Sequence, residues 1–206
     1  MSPLERWILA SRNRHKLVEL EAILRGFPVE LVPCPETVTL PEETGASFLA
    51  NARLKARAVA EATGAAALAD DSGLEVDALG GEPGVLSARY AGEGAGDEDN
   101  NRLLLANLAG IHGPNRRARF RCVLVLAAAG GREVSAEGRI EGFVIDAPRG
   151  AHGFGYDPVF LPEGQGAGAP RTLAEYGEDE KNAVSHRAQA VAKLRESLGR
   201  LGRLVP

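Results

Sequence analysis

The opening third of the chain alternates short apolar runs with two long amphipathic segments, and this alternation limits the fold more than any other feature. Trp7 to Ser11 reads as a short buried strand, and Arg14 to Arg25 has helical spacing that stops at Gly26. Val29 to Val32 is strand-like again. Ser47 to Thr63 begins on an N-cap residue, keeps the helical period and is stopped by Gly64. Ala65 to Ala69 follows as a third apolar run, with Asp70 and Asp71 side by side at its C-terminal end and a Ser-Gly turn expected at once. A β-α-β-α-β order of this kind points to an α/β sheet with helices packed on it.

Farther along, Asp97 to Leu108 reads as a helix with acidic residues in its first turn, where the helix dipole favours them. Ala118 to Ala127, Glu133 to Glu137 and Arg139 to Ile145 read as successive β segments, with Gly130-Gly131 as a hairpin turn. Gly153 to Phe160 is a loop entering a strand, Pro162 to Pro170 a Gly/Pro-rich mobile loop, and Ser185 to Leu201 a closing helix. No internal repeat or linker interrupts the chain. The expected fold is therefore α/β, a single domain over residues 1–206 with a central mixed β-sheet flanked by helices and a second β-rich lobe.

At 206 residues and 44% hydrophobic content, the chain can bury one sizeable core, or one core and a small lobe. Its 24 basic and 28 acidic side chains leave a net charge of -4, which argues against a general nucleic-acid binder. One small phosphorylated ligand in a locally basic pocket stays compatible with that charge. The longest apolar stretches, such as Val123 to Ala129, are too short to span a bilayer. MSPLERWILAS at the N-terminus lacks a long apolar segment of signal-peptide type. Cys34 and Cys122 make neither a disulfide framework nor a metal pattern. A cytoplasmic protein with reduced thiols is expected. Lysine occurs only at 16, 55, 181 and 193 in an arginine-rich chain, a hint that an ammonium is specifically required at those places.

Five groups could carry chemistry. SRNRHK, Ser11 to Lys16, sits where a strand turns into a helix; free backbone N–H groups and the dipole favour an anion there, and Asn13 could equally be a plain helix cap. LPEET, Leu40 to Thr44, offers Glu42 and Glu43 ahead of a helix on which Asn51 and Lys55 share a face; dipole complementation and an ordinary polar face are the simpler alternatives. Asp70 and Asp71, buried together without a counter-charge, would force one proton on unless a hard cation such as Mg²⁺ resolves the conflict. The competing account is an Asx-type turn. GFGYDP, Gly153 to Pro158, sets Phe154 and Tyr156 among glycines, suited either to stacking on a planar base or to finishing a core. EKNAVSHR, Glu180 to Arg187, brings Lys181, His186 and Arg187 together at the start of the last helix. Neither a nucleophile elbow nor a phosphate-binding GxxxxGK[ST] loop occurs.

In this order, SRNRHK, LPEETG, the long ADDSGLEVDALGGEPGVLSARYAG block, GFGYDPVF and EKNAVSHR resemble the inosine triphosphate pyrophosphatase family, from about Ile8 to Leu194. The resemblance implies hydrolysis of purine nucleoside triphosphates that carry a non-standard base. It also implies a substrate cleft between two lobes, a Mg²⁺ cofactor and a homodimer. By position, it implies that Ser11, Asn13 and Lys16 hold the triphosphate, with Arg12, Arg14 and His15 as the intervening motif positions. Glu42, with Glu43 close behind, falls on the metal-binding acid, and Asp71 on the essential acid, with Asp70 auxiliary and Ser72 next to it. Lys55 matches a helix lysine that reaches the phosphates. Phe154, Gly155, Tyr156, Asp157, Lys181, His186 and Arg187 match base and phosphate contacts. A pyrophosphatase of related fold acting on pyrimidine or modified nucleotides, or a nucleotide-binding module without catalysis, would share some of these groups. The SHR and GFGYDP motifs favour a purine, and the intact Glu42, Asp71 and Lys16 set favours catalysis.

Overall fold

The computed structural model describes residues 4–166 and 168–201. In chain order the elements are β1 (Glu5–Leu9), α1 (Arg14–Ile23), β2 (Val29–Pro33), α2 (Phe48–Thr63), β3 (Ala66–Val76), α3 (Asp97–Asn107), β4 (Arg117–Ala127), β5 (Glu133–Val144), β6 (Phe160–Pro162), α4 (Glu178–Val184) and α5 (His186–Leu201). The strands form one sheet in the order β2-β1-β3-β4-β5-β6. Because β1 runs parallel to β2 and β3 while β5 and β6 are antiparallel, the sheet is mixed, as expected.

Local chemistry sets the helix ends. Asn13 caps α1, its side-chain oxygen accepting the His15 and Lys16 N–H groups. Ser47 caps α2 through the Ala50 N–H, and Gly64, in the left-handed region, ends that helix.

Two expectations need correction. β3 does not end at the aspartates: it runs on through Asp70, Asp71, Ser72 and Gly73 to Val76, so neither a Ser-Gly turn nor an Asx turn forms there. Gly73 serves a close approach instead, since a Cβ at that position would stand 2.3 Å from Ser87 Oγ. The two β segments read around Gly138 are one continuous strand, β5. The closing helix is α5, as expected, and a short helix, α4, precedes it with Ser185 between them.

The chain divides into two compact units. The first comprises the residues up to Asp71, Cys122–Gly138 and those from Arg187 on. Its core joins Trp7, Leu9 and Leu68 of the strands to Leu20 and Leu24 of α1 and Val191 and Leu194 of α5. The second comprises Ser72–Arg121 and Arg139–His186, with a core of Leu74, Leu104, Phe120, Tyr156, Phe160 and Leu173 among others. Its sheet surface absorbs much of the arginine: Arg119 and Arg121 pair with Glu75, Asp77 and Glu141. Across residues 162–171, the Gln165 amide bonds Pro162 O and Arg171 O; Ala167, within the loop expected to be mobile, lies outside the described residues. Among the described residues no helix is long and apolar enough to cross a membrane.

Candidate active site

In an extended strand successive side chains point to opposite faces. β3 uses that alternation to separate its two adjacent carboxylates and gives each its own partners. Asp70, wholly buried, receives the Arg187 Nε at 2.8 Å and the Cys122 thiol at 3.1 Å on Oδ2, and the Lys16 ammonium on Oδ1. Arg187 reaches with its other arm to Glu19, itself buried on α1. Burial alone would raise the Asp70 carboxyl, but Arg187 and then Lys16 outweigh it and hold it well below the usual carboxylate range. Burial, reinforced by Asp70, pushes the Cys122 thiol well up. Asp70 is thus the counter-charge of a buried ionic knot rather than an auxiliary carboxylate beside Asp71.

Asp71 faces α2. Its Oδ1 lies 3.2 Å from the Lys55 Nζ and its Oδ2 accepts the Asn51 amide at 3.2 Å, so both oxygens are held. Lys55 also donates to the Asp70 carbonyl at 3.0 Å and to Glu43. Asn51, one helical turn before Lys55, accepts the Gly45 N–H at 2.7 Å and so draws the LPEETG segment onto α2. Only glycine fits that approach, because a Cβ there would stand 2.6 Å from Asn51 Oδ1 and 2.7 Å from the Ala50 Cβ. Burial opposes the Lys55 ammonium, yet Asp71 and Glu43 overcome it and raise its pKa. Burial is the main cause that lifts Asp71 to about 6, and Glu43 adds to it against the pull of Lys55.

An acid pushed up mainly by burial is a carboxylate short of solvation, and a hard divalent cation beside it would supply what water does not. Among the described residues no three or more His, Cys, Asp or Glu side chains form a ready-made metal cage. Asp71, with Glu43 beside it and Glu42 in the same segment, offers the hard carboxylate oxygens that Mg²⁺ takes, one or two at a time, with water and substrate phosphate completing its shell. The donor set therefore fits the cation. Of the two glutamates, the structure brings Glu43 to Lys55, whereas Glu42 is exposed.

At the turn into α1, Ser11 Oγ accepts the Asn13 N–H at 3.1 Å, and Asn13 acts as the cap described above. The Arg12 guanidinium is spent on three carbonyls, those of Cys34 at 2.6 Å, Pro35 at 3.0 Å and Val38 at 2.7 Å, which ties down the strand exit after β2. Arg14 and His15 are exposed at the helix start. Lys16 carries its charge to Asp70, with its side chain 15% exposed.

The second unit holds the remaining candidates. Asp157, 2% exposed, accepts the Lys181 ammonium at 2.7 Å and the Phe154 N–H at 2.9 Å on one oxygen. Lys181 stands 4.8 Å from the centre of the Phe154 ring. The buried Tyr156 donates its hydroxyl to the Ser87 carbonyl at 2.9 Å, and burial raises its phenol. His186 stacks on Phe120 at 4.9 Å with planes 10° apart. Ser72, half-buried, follows Asp71 on β3. Three of the four lysines thus end on buried aspartates, as their scarcity hinted. Glu19, Cys122, Phe120 and Ser87 were not singled out from sequence. Only Glu19 offered a signal, a carboxylate one turn after Lys16 between Val18 and Leu20.

Comparison with known proteins gives this architecture a family. The sequence profile of the Ham1 family matches residues 7–197. A dITP/XTP pyrophosphatase of Geobacter sulfurreducens is 47% identical over 95% of this chain and 98% of that protein. A solved HAM1 protein from Coxiella burnetii superposes with a TM-score of 0.83 at 41% identity, over 95% of this chain and 99% of that one. A solved nucleoside-triphosphatase, dITP/XTP pyrophosphatase, from Mycobacterium abscessus gives 0.72 at 48% identity, over 92% and 98%. With nearly the whole length aligned and the sheet order in place, the chain belongs to the Ham1 family.

Proposed function

We propose that the protein hydrolyses the α-β phosphoanhydride of non-standard purine nucleoside triphosphates (ITP, dITP and XTP), giving the nucleoside monophosphate and pyrophosphate. The observation that carries this is Asp71: buried, fixed on both oxygens by Lys55 and Asn51, and raised to about 6. A carboxyl tuned toward the working pH is basic enough to take a proton from water and still mostly ionised when it must do so, a general-base role worth roughly 10²- to 10⁴-fold. Asp71 accepts the proton of the attacking water, and its two tethers keep the accepting lone pair in one direction.

Asp71 and Glu42 would hold Mg²⁺, with Glu43 kept on Lys55. When bound, the cation supplies neutralisation of the phosphate charge and polarisation of the bond that breaks. Lys16, Lys55 and the N-terminal turn of α1, with Ser11 and Asn13, add positive potential and donors for the phosphates. Arg12 holds the residue 34–38 segment, so its contribution is to the shape of the loop leading to Glu42.

For the base, Phe154 and Gly155 supply a surface against which a purine ring packs; Tyr156 anchors it from the core through Ser87, and Lys181 with Asp157 fixes it. A donor from His186 pairs with a 6-oxo group and is left unpaired by the 6-amino group of adenine, while Arg187, held by Asp70 and Glu19, keeps the start of α5 in place behind it. Buried groups left unpaired in this way discriminate by roughly 10⁴-fold, far more than size alone. The names of the relatives, dITP/XTP pyrophosphatases, support a purine over a pyrimidine substrate. A homodimer in the cytoplasm completes the proposal.

The test is pyrophosphate release from ITP, XTP, GTP and ATP, with Mg²⁺ and with excess chelator. Metal-dependent release favouring ITP and XTP is expected. Release of phosphate instead would move the cleaved bond, and binding without turnover would leave a nucleotide-binding module.

A further inference from the structure

The segment that carries Phe154 is gripped from outside by two residues of α3. Gly155 donates its N–H to Asp97 Oδ2 at 2.6 Å and accepts the Asn101 side-chain amide on its carbonyl at 2.8 Å. Both backbone polar groups of one residue are therefore tied to a single helical turn. The same Asn101 nitrogen donates to the Asp97 carbonyl at 2.9 Å, which fixes the amide's orientation.

Helix capping does not account for these bonds. Asp97 lies in the acidic first turn, but its carboxylate oxygen goes to Gly155, and it is Asp99 that accepts the N–H of the capping residue Gly96. Core filling does not account for Asn101 either. It is 6% exposed, and its Oδ1 is buried without a hydrogen-bond partner, a desolvation cost that an apolar side chain of the same size would avoid. What the pair accomplishes is to fix both peptide units of the one residue between two aromatic residues. On one side Phe154 has its N–H on Asp157 and its ring under Lys181; on the other Tyr156 is pinned to the Ser87 carbonyl.

We propose that Asp97 and Asn101 are positioning residues for base recognition: they clamp Gly155 and thereby set the plane and height of the Phe154 ring. This rests on the proposal that the 153–157 segment takes the purine. The clamp acts on the base and not on the phosphates, so it separates two quantities that a general loosening of the protein moves together.

The experiment is steady-state ITP hydrolysis with Mg²⁺ alongside inhibition by inorganic tripolyphosphate, which has no base. The variants are Asp97→Ala, Asp97→Asn, Asn101→Leu and Phe154→Ala. Loss of either clamp bond should raise KM for ITP roughly tenfold, about the worth of one hydrogen bond, with kcat within about twofold. Tripolyphosphate inhibition should be unchanged. Asp97→Asn keeps an acceptor for the Gly155 N–H and should fall between wild type and Asp97→Ala. The inference is overturned if KM for ITP stays put in both Asp97→Ala and Asn101→Leu, or if tripolyphosphate inhibition weakens in step with KM. Phe154→Ala separates the two levels. If it raises KM while the clamp variants do not, the clamp alone fails; if it leaves KM unmoved, base recognition by this segment fails and the clamp with it.

Discussion

Replacing Asp71 by asparagine removes a charge that the fold holds at a cost, and that cost has a sign and a size. In the metal-free protein the Asp71 carboxyl sits at about 6, above the ordinary 3.8. A group raised on folding contributes stability that is complete below its unfolded pKa and lost as pH rises through the folded one. Between about pH 4 and pH 6 the metal-free protein should therefore lose up to about 3 kcal/mol from this group, at 1.4 kcal/mol per pKa unit. Asparagine keeps the shape of the protonated acid, with its one oxygen for Lys55, and cannot ionise; its amide nitrogen forgoes the Asn51 hydrogen bond, which trims the gain.

Asp71→Asn should accordingly be more stable than wild type at pH 8 in chelator, by up to about 3 kcal/mol. For a chain of this size that is a rise in Tm of roughly 6–12 °C. The gap should close toward pH 4. Mg²⁺ at a hundredfold excess over Kd should stabilise wild type by about 2.7 kcal/mol, with a matching rise in Tm, and do little for the variant. Turnover of ITP should fall by roughly 10²- to 10⁴-fold. Calorimetry or dye-monitored melting at several pH values reads the first part and pyrophosphate release the second. A variant that melts below wild type by the same margin at pH 4 and pH 8 would refute the assignment of strain to the buried charge.

Two further outcomes follow from the same cluster. Glu42→Gln should raise the Mg²⁺ concentration for half-maximal rate about tenfold or more, while Glu43→Gln should act mainly through Lys55; the reverse order in a Mg²⁺ titration would transfer the ligand role to Glu43. Asp70→Asn should cost about 3–5 kcal/mol at neutral pH, since it leaves Arg187 and Lys16 facing each other without their shared counter-charge. Because the Asp70 carboxyl is depressed, its contribution is complete above about pH 4 and is lost as pH falls through the lower folded value, so acid titration of the melting temperature should narrow the gap.

How far sequence could anticipate this depended on the range of each interaction. The ends of α1 and α2 were legible because caps are local: Asn13, Ser47 and Gly64 act within a few residues of themselves. Lys55 and Asn51 were legible as a pair because helical spacing puts them on one face. Ser72-Gly73 looked like a turn because serine and glycine are poor strand formers; the strand continues because Gly73 must admit Ser87, which no local pattern announces. Gly138 misled in the same way within β5. In sequence the two adjacent aspartates read as one repulsion to be relieved by a shared cation or a local turn, whereas pleating gives them separate partners. Those of Asp70 are beyond any local signal, with Arg187 117 positions away. Arg187 was legible as a member of the SHR motif, but its grip on Glu19 across 168 positions was not.

The ionic knot at Asp70 also has a kinetic meaning. Its members stand at positions 16, 19, 70, 122 and 187, so it closes only when the first helix, the third and fourth strands and the last helix are all in place. Contacts with such sequence separation form late, after the loop-closure entropy between them has been spent. A lock that closes after the transition state leaves the folding rate almost untouched and slows unfolding. The lifetime of the assembled protein, more than the speed of reaching it, is what this one buried carboxylate governs.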